Sequence, residues 1–173
     1  MKIYFATHAT SVDNEQGVAS GWADPALSEL GKKQARELGR HFKDIPLSLI
    51  CTSDFKRAIQ TVELAFGSKL PVIIDPRLRE LNYGDYNGCP NAEVDLFKTK
   101  SISMPFPRGE SYQQAMKRLH EFYNELKSKY PDKTVLIVGH RATQYGLDTL
   151  VNGSNLEDVV KPLVWRPYWE YNF

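Results

Sequence analysis

Two short apolar runs, far apart in the chain, each end on a histidine. Residues 3–7 lead to His8, and residues 135–139 lead to His140. Apolar runs of this length, rich in β-branched residues, are typical of buried parallel strands. Because ligands of open α/β sheets bind outside the carboxyl ends of the strands, both imidazoles are expected at one crevice. In one interpretation they form a reaction centre. In the other, each only bonds a nearby backbone group at the end of its strand.

The rest of the chain alternates strand-like runs with amphipathic helical patterns. Further strands are predicted over residues 47–51 and 71–74, and an aromatic tail containing Trp165, Pro167 and Trp169 predicts a terminal edge strand. Helices are predicted over residues 28–42, 53–67, 111–130 and 143–151. This order indicates a single domain over residues 1–173, a three-layer α/β/α sandwich with a mainly parallel sheet.

Two of the helices carry predictions about individual residues. The first is expected to be capped by Ser28, with an apolar stripe that includes Leu30 and Leu38. The second is expected to be capped by Ser53 and to carry Arg57 in its first turn. Helical side chains lean toward the helix N-terminus, so the guanidinium should point back to the carboxyl end of the preceding strand, where the two histidines are expected.

The predicted group of two imidazoles and one guanidinium favours phosphoryl transfer. A guanidinium offers a planar fork of donors that fits phosphate oxygens, and an imidazole can serve as a nucleophile or as a donor that stabilises charge. The sequence has no Walker A pattern, no His/Asp metal cluster and no glycine-rich dinucleotide turn. We therefore expect a covalent phosphohistidine, with no metal and no cofactor.

A proton for the departing alkoxide has one carboxyl candidate, Glu80. It lies in the irregular stretch 76–108, next to Arg79. Glu80 is either a catalytic acid, held in place by pairing with Arg79, or a solvated surface charge. A second long loop, over residues 9–26, is expected to be functional because structureless loops of that length are uncommon in compact domains.

Composition limits the class of partner. The formal net charge is +1 and no long run of one sign occurs, so nucleic acid and membrane surfaces have no electrostatic support as partners. Cys51 and Cys89 show neither metal-ligand spacing nor a disulfide framework. No signal-peptide pattern or long apolar stretch is present. These features indicate a cytoplasmic protein with a small partner, which the predicted phosphoryl-transfer residues make a small phosphorylated substrate. They leave the oligomeric state open.

Several motifs together resemble the histidine phosphatase superfamily, whose fold is phosphoglycerate mutase-like. The opening stretch 7–11, Thr-His-Ala-Thr-Ser, followed by Asn14, is similar to the first motif of that family. Matching segments follow in the family's order at residues 20–28, 52–61, 78–84, 109–111 and 138–140. The resemblance covers essentially the whole chain.

The resemblance implies a role for each matching residue. His8 would be the nucleophile that becomes phosphorylated, His140 would donate to the transferring phosphoryl group, and Arg57 would bind phosphate oxygens. Glu80 would be the proton donor. Asn14 and the backbone near Gly21 would line the substrate pocket. The implied activity is a metal-independent phosphatase acting on a small phosphomonoester.

The chain departs from the family's Arg-His-Gly-Glu-Thr motif at several positions. Thr7 stands in place of a phosphate-binding arginine, Ala9 in place of glycine and Thr10 in place of glutamate, and Arg141 replaces the glycine after the second histidine. Losing a charge-assisted contact to phosphate costs about 1.5 to 3 kcal/mol. One hypothesis is that Arg141 restores the charge from beside His140, and the other is that it faces solvent or pairs with an acidic residue.

Two alternatives to a phosphatase follow from these departures. A phosphoglycerate mutase would use the same phosphohistidine, but members of that branch are longer and keep the motif arginine. A phosphate-binding protein of the same fold with little turnover would fit the altered opening motif. The joint presence of His8, Arg57, Glu80 and His140 opposes that last alternative.

Overall fold

The computed structural model describes residues 1–160 and 166–173. The strands are β1 (Lys2–Thr7), β2 (Val18–Ala19), β3 (Leu49–Thr52), β4 (Val72–Ile74), β5 (Cys89–Pro90), β6 (Thr134–Gly139) and β7 (Trp169–Asn172). The helices are α1 (Val12–Glu15), α2 (Glu29–His41), α3 (Lys56–Phe66), α4 (Asn91–Asp95), α5 (Tyr112–Lys129), α6 (Arg141–Leu150) and α7 (Leu156–Val159). Single 3₁₀ turns lie at Pro76–Leu78, Gly84–Tyr86 and Lys100–Ile102.

Five of the strands form one sheet in the order β4-β3-β6-β1-β7. The β1–β6, β3–β6 and β3–β4 pairs are parallel, and β7 adds an antiparallel edge beside β1. The predicted α/β class with a mainly parallel sheet is therefore confirmed, as is the terminal edge strand. Trp165 lies outside the described residues, and Pro167 precedes β7, where it interrupts no pairing in the sheet.

Side chains alternate between the two faces of the sheet, because successive residues of a strand point to opposite sides. Ile3, Phe5 and Ile137 pack with α5 and α6 in one buried cluster. Tyr4, Leu136 and their neighbours pack with α2 and α3 in another. Two apolar clusters on opposite faces of one sheet give the three layers that the sequence predicts.

Local sequence accounts for most helix ends. The Ser28 hydroxyl accepts the Gly31 N–H and starts α2, and Ser111 forms a capping box with Gln114 at the start of α5. Gly67 follows the last residue of α3 with a φ of 58° and ends that helix. These predicted starts and stops are confirmed.

Two residue-level predictions in the helices are wrong. Leu30 is 49% exposed, so it is not part of the buried stripe of α2. The N-cap of α3 is Phe55, not Ser53, and no side chain caps that helix. The chain continues for two more residues beyond Ser53 before the helix begins, which leaves the serine hydroxyl for a distant partner.

The predicted loop at residues 9–26 contains more structure than expected. Ser11 caps the one-turn helix α1, and β2 pairs antiparallel with β5 from the 76–108 excursion. This small second sheet ties the two long connections to each other. Both connections therefore lie at the carboxyl end of the main sheet, over the predicted crevice.

Candidate active site

A cavity of about 520 Å³ opens at the carboxyl ends of β1 and β6. All of the residues predicted for the site line it, namely Thr7, His8, Asn14, Gly21, Arg57, Glu80, His140 and Arg141. Three neighbouring parallel strands, β3, β6 and β1, are followed directly by Ser53, His140 and His8. The sheet order thus brings together polar groups that are up to 132 positions apart in sequence, the separation of His8 from His140.

Two hydrogen bonds fix the position of His8 and the location of its ring proton. Its backbone N–H donates to the Gly139 carbonyl at 2.8 Å, and Nδ1 lies 2.7 Å from the Ala9 carbonyl oxygen. A carbonyl can only accept, so the proton is on Nδ1 and Nε2 carries the lone pair. Burial and the charge of Arg57 lower the pKa of His8 to about 3. The ring is therefore neutral near pH 7.

Arg57 lies in the first turn of α3 and points back to the strand ends, as predicted. Its Nε donates to Nε2 of His8 at 3.3 Å, while Nη1 and Nη2 donate to the Ala23 and Gly21 carbonyls, each at 2.9 Å. The side chain is almost completely buried. The Gly21 backbone thus orients the guanidinium, a function that its sequence position alone did not indicate.

His140 faces His8 with ring centroids 5.1 Å apart. Its Nε2 lies 2.7 Å from the Ser53 hydroxyl oxygen, and its buried Nδ1 has no hydrogen-bond partner among residues 1–160 and 166–173. Burial, together with the charge of Arg57, lowers the pKa of His140 well below its usual value. The second imidazole is therefore also neutral, and one of its nitrogens is left without a protein partner.

Glu80 reaches the amino end of α6, next to His140. Its Oε1 accepts the Leu81 and Ala142 N–H groups at 2.8 and 3.0 Å, and its Oε2 accepts the Arg141 N–H at 3.1 Å. The proposed pairing with Arg79 is wrong, because Arg79 instead forms a two-pronged ion pair with Asp54, at 2.7 and 2.5 Å. Backbone N–H groups, not Arg79, position this carboxyl group.

Arg118, which the sequence analysis missed, fixes the backbone that carries Glu80. Its Nη1 donates to the carbonyls of Arg77 and Arg79 at 2.6 and 2.9 Å, and its Nη2 donates to the Glu80 carbonyl at 3.0 Å. Glu110 holds the guanidinium in place through two further contacts, at 3.1 and 2.6 Å. One side chain of α5 therefore orders the turn from which Glu80 projects.

Residues 3–159 match the histidine phosphatase superfamily (branch 1). The chain belongs to this superfamily. It is 32% identical over 149 residues to phosphoserine phosphatase 1 of Hydrogenobacter thermophilus, covering 81% of this chain and 71% of that protein. It is 31% identical over 185 residues to a 2,3-bisphosphoglycerate-dependent phosphoglycerate mutase of Chelativorans sp., covering 92% of this chain and 88% of that protein.

A solved structure shares the fold. YhfR of Bacillus stearothermophilus superposes with a TM-score of 0.83 at 27% sequence identity, covering 94% of this chain and 85% of that one. The superfamily membership supports a phosphatase. No helix in the described part of the chain is long and apolar enough to cross a membrane, and no group of His, Cys, Asp and Glu side chains there has the arrangement of a metal site.

The two positions at which departures from the family motif are predicted, Thr7 and Arg141, adjoin His8 and His140 in the chain. Thr7 ends β1 and lines the cavity without a charge. Arg141 lines the same cavity, with Nε and Nη2 at 3.4 and 3.3 Å from the Tyr145 hydroxyl oxygen. Asn14 also lines it, and its side-chain oxygen accepts from Ser11 at the start of α1. The cation at position 141 therefore lies beside a tyrosine one helical turn away.

Proposed function

We propose that this protein is a metal-independent phosphatase that hydrolyses a small phosphomonoester through a phosphohistidine on His8. The observation that carries the proposal is the state of the His8 ring. Its proton is fixed on Nδ1 by the Ala9 carbonyl, so the Nε2 lone pair is directed toward the buried Arg57. A neutral imidazole with an oriented lone pair beside a fixed cation is an activated nucleophile for phosphoryl transfer.

In the first step Nε2 of His8 attacks phosphorus, so that a P–N bond forms as the bond to the leaving oxygen breaks. The Arg57 Nε–H, which donates to Nε2 in the free protein, then donates to a phosphoryl oxygen. The unpartnered Nδ1 of His140 supplies a second donor to the phosphoryl group. Charge on the equatorial oxygens is stabilised by these preorganised groups.

Nδ1 of His140 can donate only if the neutral ring carries its proton on Nδ1. In this proposal Ser53 selects that tautomer, because its hydroxyl group donates its hydrogen to Nε2, the nitrogen that it contacts at 2.7 Å. The single proton of the neutral ring then resides on Nδ1. Ser53 is therefore a positioning residue that acts through His140.

Glu80 moves the proton in both steps. As the leaving oxygen departs, Glu80 gives it a proton; a water molecule then attacks the phosphohistidine and passes a proton to Glu80 as the P–N bond breaks. Inorganic phosphate is released and the starting protonation states return. The cycle needs no metal and no cofactor, and it is consistent with a small substrate in the cytoplasm.

The test is hydrolysis of p-nitrophenyl phosphate in the presence of a chelator by the parent protein, His8→Ala and His41→Ala. His41 is an exposed histidine on α2 outside the cavity, which makes it a matched control. Release of phosphate that survives chelation, persists in His41→Ala and disappears in His8→Ala is expected. Bound vanadate without turnover by the parent would instead indicate a phosphate-binding protein, and transfer to an alcohol without phosphate release would indicate a mutase.

A further inference from the structure

We infer that Asn152 is a site of spontaneous covalent modification, in which its side-chain amide cyclises onto the backbone nitrogen of Gly153. This chemistry does not depend on the proposed phosphatase activity. An asparagine followed by glycine favours the reaction, because glycine has no Cβ to hinder the approach of its own backbone nitrogen. The chain contains two such dipeptides, at residues 87–88 and 152–153. They are alike in sequence, and their surroundings in the fold make them different.

The reaction needs only water in addition to the chain. Hydroxide removes the proton of the Gly153 N–H, the nitrogen attacks Cγ of Asn152, and an N–C bond forms as the bond from Cγ to Nδ2 breaks. The departing nitrogen takes a proton from water and leaves as ammonia. Water then opens the cyclic imide at either carbonyl, which yields aspartate or isoaspartate. Both products carry one more negative charge than asparagine.

The dipeptide of Asn152 and Gly153 lies on the surface just after α6. Both residues are exposed, and Gly153 has a φ of 67° with open space around the position of a Cβ. The Gly153 N–H makes no backbone hydrogen bond within residues 1–160 and 166–173. The Asn152 amide has one long contact in the same part of the chain, from Nδ2 to Oδ1 of Asp148 at 3.3 Å. The amide can therefore rotate, and the attacking nitrogen is available.

The dipeptide of Asn87 and Gly88 is held by hydrogen bonds on both reacting groups. Nδ2 of Asn87 donates to Oδ1 of Asn82 at 2.8 Å, and its Oδ1 accepts two backbone N–H groups, each at 3.0 Å. The Gly88 N–H, the group that would have to attack, donates to the Ala19 carbonyl at 2.9 Å. Cyclisation would disrupt this arrangement, so it should be at least about 10-fold slower at Asn87 than at Asn152.

Modification of Asn152 would act on a contact that anchors β7 to α6. Oδ1 of Asp148 accepts the Tyr171 hydroxyl at 2.8 Å, and Tyr171 is a buried residue of β7. Burial raises the pKa of Asp148, and the hydrogen bonds from Tyr171 and Asn152 oppose that rise. A carboxylate at position 152 replaces one of these donors with a like charge. The edge strand β7, which pairs with β1, would then be held less firmly.

The first experiment follows the parent protein during incubation in mildly alkaline buffer. Peptide mass spectrometry after proteolysis measures the conversion of amide to acid at both dipeptides, and chromatography separates aspartyl from isoaspartyl peptides. We expect conversion at Asn152 to be at least about 10-fold faster than at Asn87 in the folded protein. In a urea-unfolded sample the two rates should converge, because the hydrogen bonds that protect Asn87 are then absent.

The second experiment measures the effect on stability with variants. Asn152→Asp should have a lower urea midpoint of unfolding than Asn152→Gln, which carries no charge. The difference should shrink when both are combined with Tyr171→Phe, which lacks the hydroxyl group that contacts Asp148. Asn124→Asp, at an exposed position of α5, is the charge-matched control and should leave the midpoint close to that of the parent.

Three results would overturn the inference. Equal conversion at Asn87 and Asn152 in the folded protein would show that the fold does not select between the two dipeptides. Conversion at Asn152 in the unfolded sample but not in the folded one would show that the fold protects this site as well. Equal midpoints for Asn152→Asp and Asn152→Gln would remove the link to β7.

Discussion

The Ser53 hydroxyl oxygen lies 2.7 Å from Nε2 of His140, and both residues are completely buried. The contact joins the residue after β3 to the residue after β6, two neighbouring strands of the sheet. In the proposed cycle Nε2 contacts Ser53, and the other ring nitrogen of His140, Nδ1, donates to the phosphoryl group. A hydroxyl group that never touches the substrate can therefore decide whether the second histidine donates.

Ser53→Ala is expected to lower kcat for p-nitrophenyl phosphate about tenfold, with a smaller change in KM, because the tautomer of His140 is no longer fixed. The nitrogen chemical shifts of the His140 ring should move toward those of a tautomer mixture. Ser101→Ala, which removes another buried serine hydroxyl, is the control. Unchanged ring shifts together with unchanged kcat would refute the assignment to Ser53.

The role of Ser53 shows where sequence reasoning ends. A serine three positions before the first residue of a helix is hard to distinguish locally from an N-cap, and only the pairing of β3 with β6 brings a histidine within reach of its hydroxyl. The strands and helices themselves were predictable because their periodicity is a local property. His8 and His140 could be placed together because a parallel sheet aligns the carboxyl ends of its strands.

Arg118 could not have been found in the same way. Its partners on the turn that carries Glu80 are three backbone carbonyls, and every residue has one, so no residue type in the sequence marks the receiving end of these contacts. Leu30 failed for a related reason: its spacing fits the apolar stripe of α2, yet it lies on the side that the neighbouring elements leave uncovered. Tertiary packing decides both cases.

Glu80→Gln tests proton donation through the leaving group. The variant should lose about 100-fold or more on an alkyl phosphate, whose alkoxide cannot depart unprotonated, and much less on p-nitrophenyl phosphate, whose phenolate is a weak base. The readout is the ratio of single-turnover phosphorylation rates for the two substrates. Equal losses on both would contradict a proton-donor role and assign Glu80 to substrate binding.

Arg118→Met should show the same dependence on the leaving group in weaker form. The variant frees the carbonyls of Arg77, Arg79 and Glu80, and the turn that carries the Glu80 carboxyl group then loses its fixed position. We expect about a tenfold loss of kcat on the alkyl phosphate, with p-nitrophenyl phosphate less affected. Arg118→Lys keeps the charge but not the fork, so it should recover little. A loss that is identical for both substrates would indicate a general structural effect.

The neutral state of His8 makes stability depend on pH. The folded-state pKa is about 3 against an ordinary 6.5, so the unfolded chain binds the extra proton between these values and stability rises with pH across that window. Acidification from pH 7 toward pH 4 should therefore destabilise the fold, at up to about 1.4 kcal/mol per pH unit for this group. His8→Gln should show a shallower dependence in urea unfolding. An equally steep profile in His8→Gln would mean that other groups carry the effect.

Gly31→Ala is expected to destabilise the protein although alanine is the better helix former. A Cβ at Gly31 would lie 2.0 Å from the backbone oxygen of Thr10, two residues after His8. We expect a net loss of about 1 to 3 kcal/mol in the free energy of unfolding, the usual cost of overpacking. Lys33→Ala, at an exposed position of the same helix, is the control. A gain in stability for Gly31→Ala would show that the 8–10 segment can move aside freely.

If His8 is the nucleophile, as proposed above, its hydrogen bond from Arg57 also governs which reagents it attacks. In the free protein the lone pair of Nε2 is already engaged by the Nε–H of Arg57, so the ring is a poor target for acylating agents or aldehydes. The anionic oxygens of a phosphoester accept the same N–H strongly, whereas the neutral carbonyl oxygen of an acylating agent or aldehyde accepts it more weakly, so a phosphoester releases the lone pair more readily. Selectivity among electrophiles is thus built into the resting protein before any covalent bond is made.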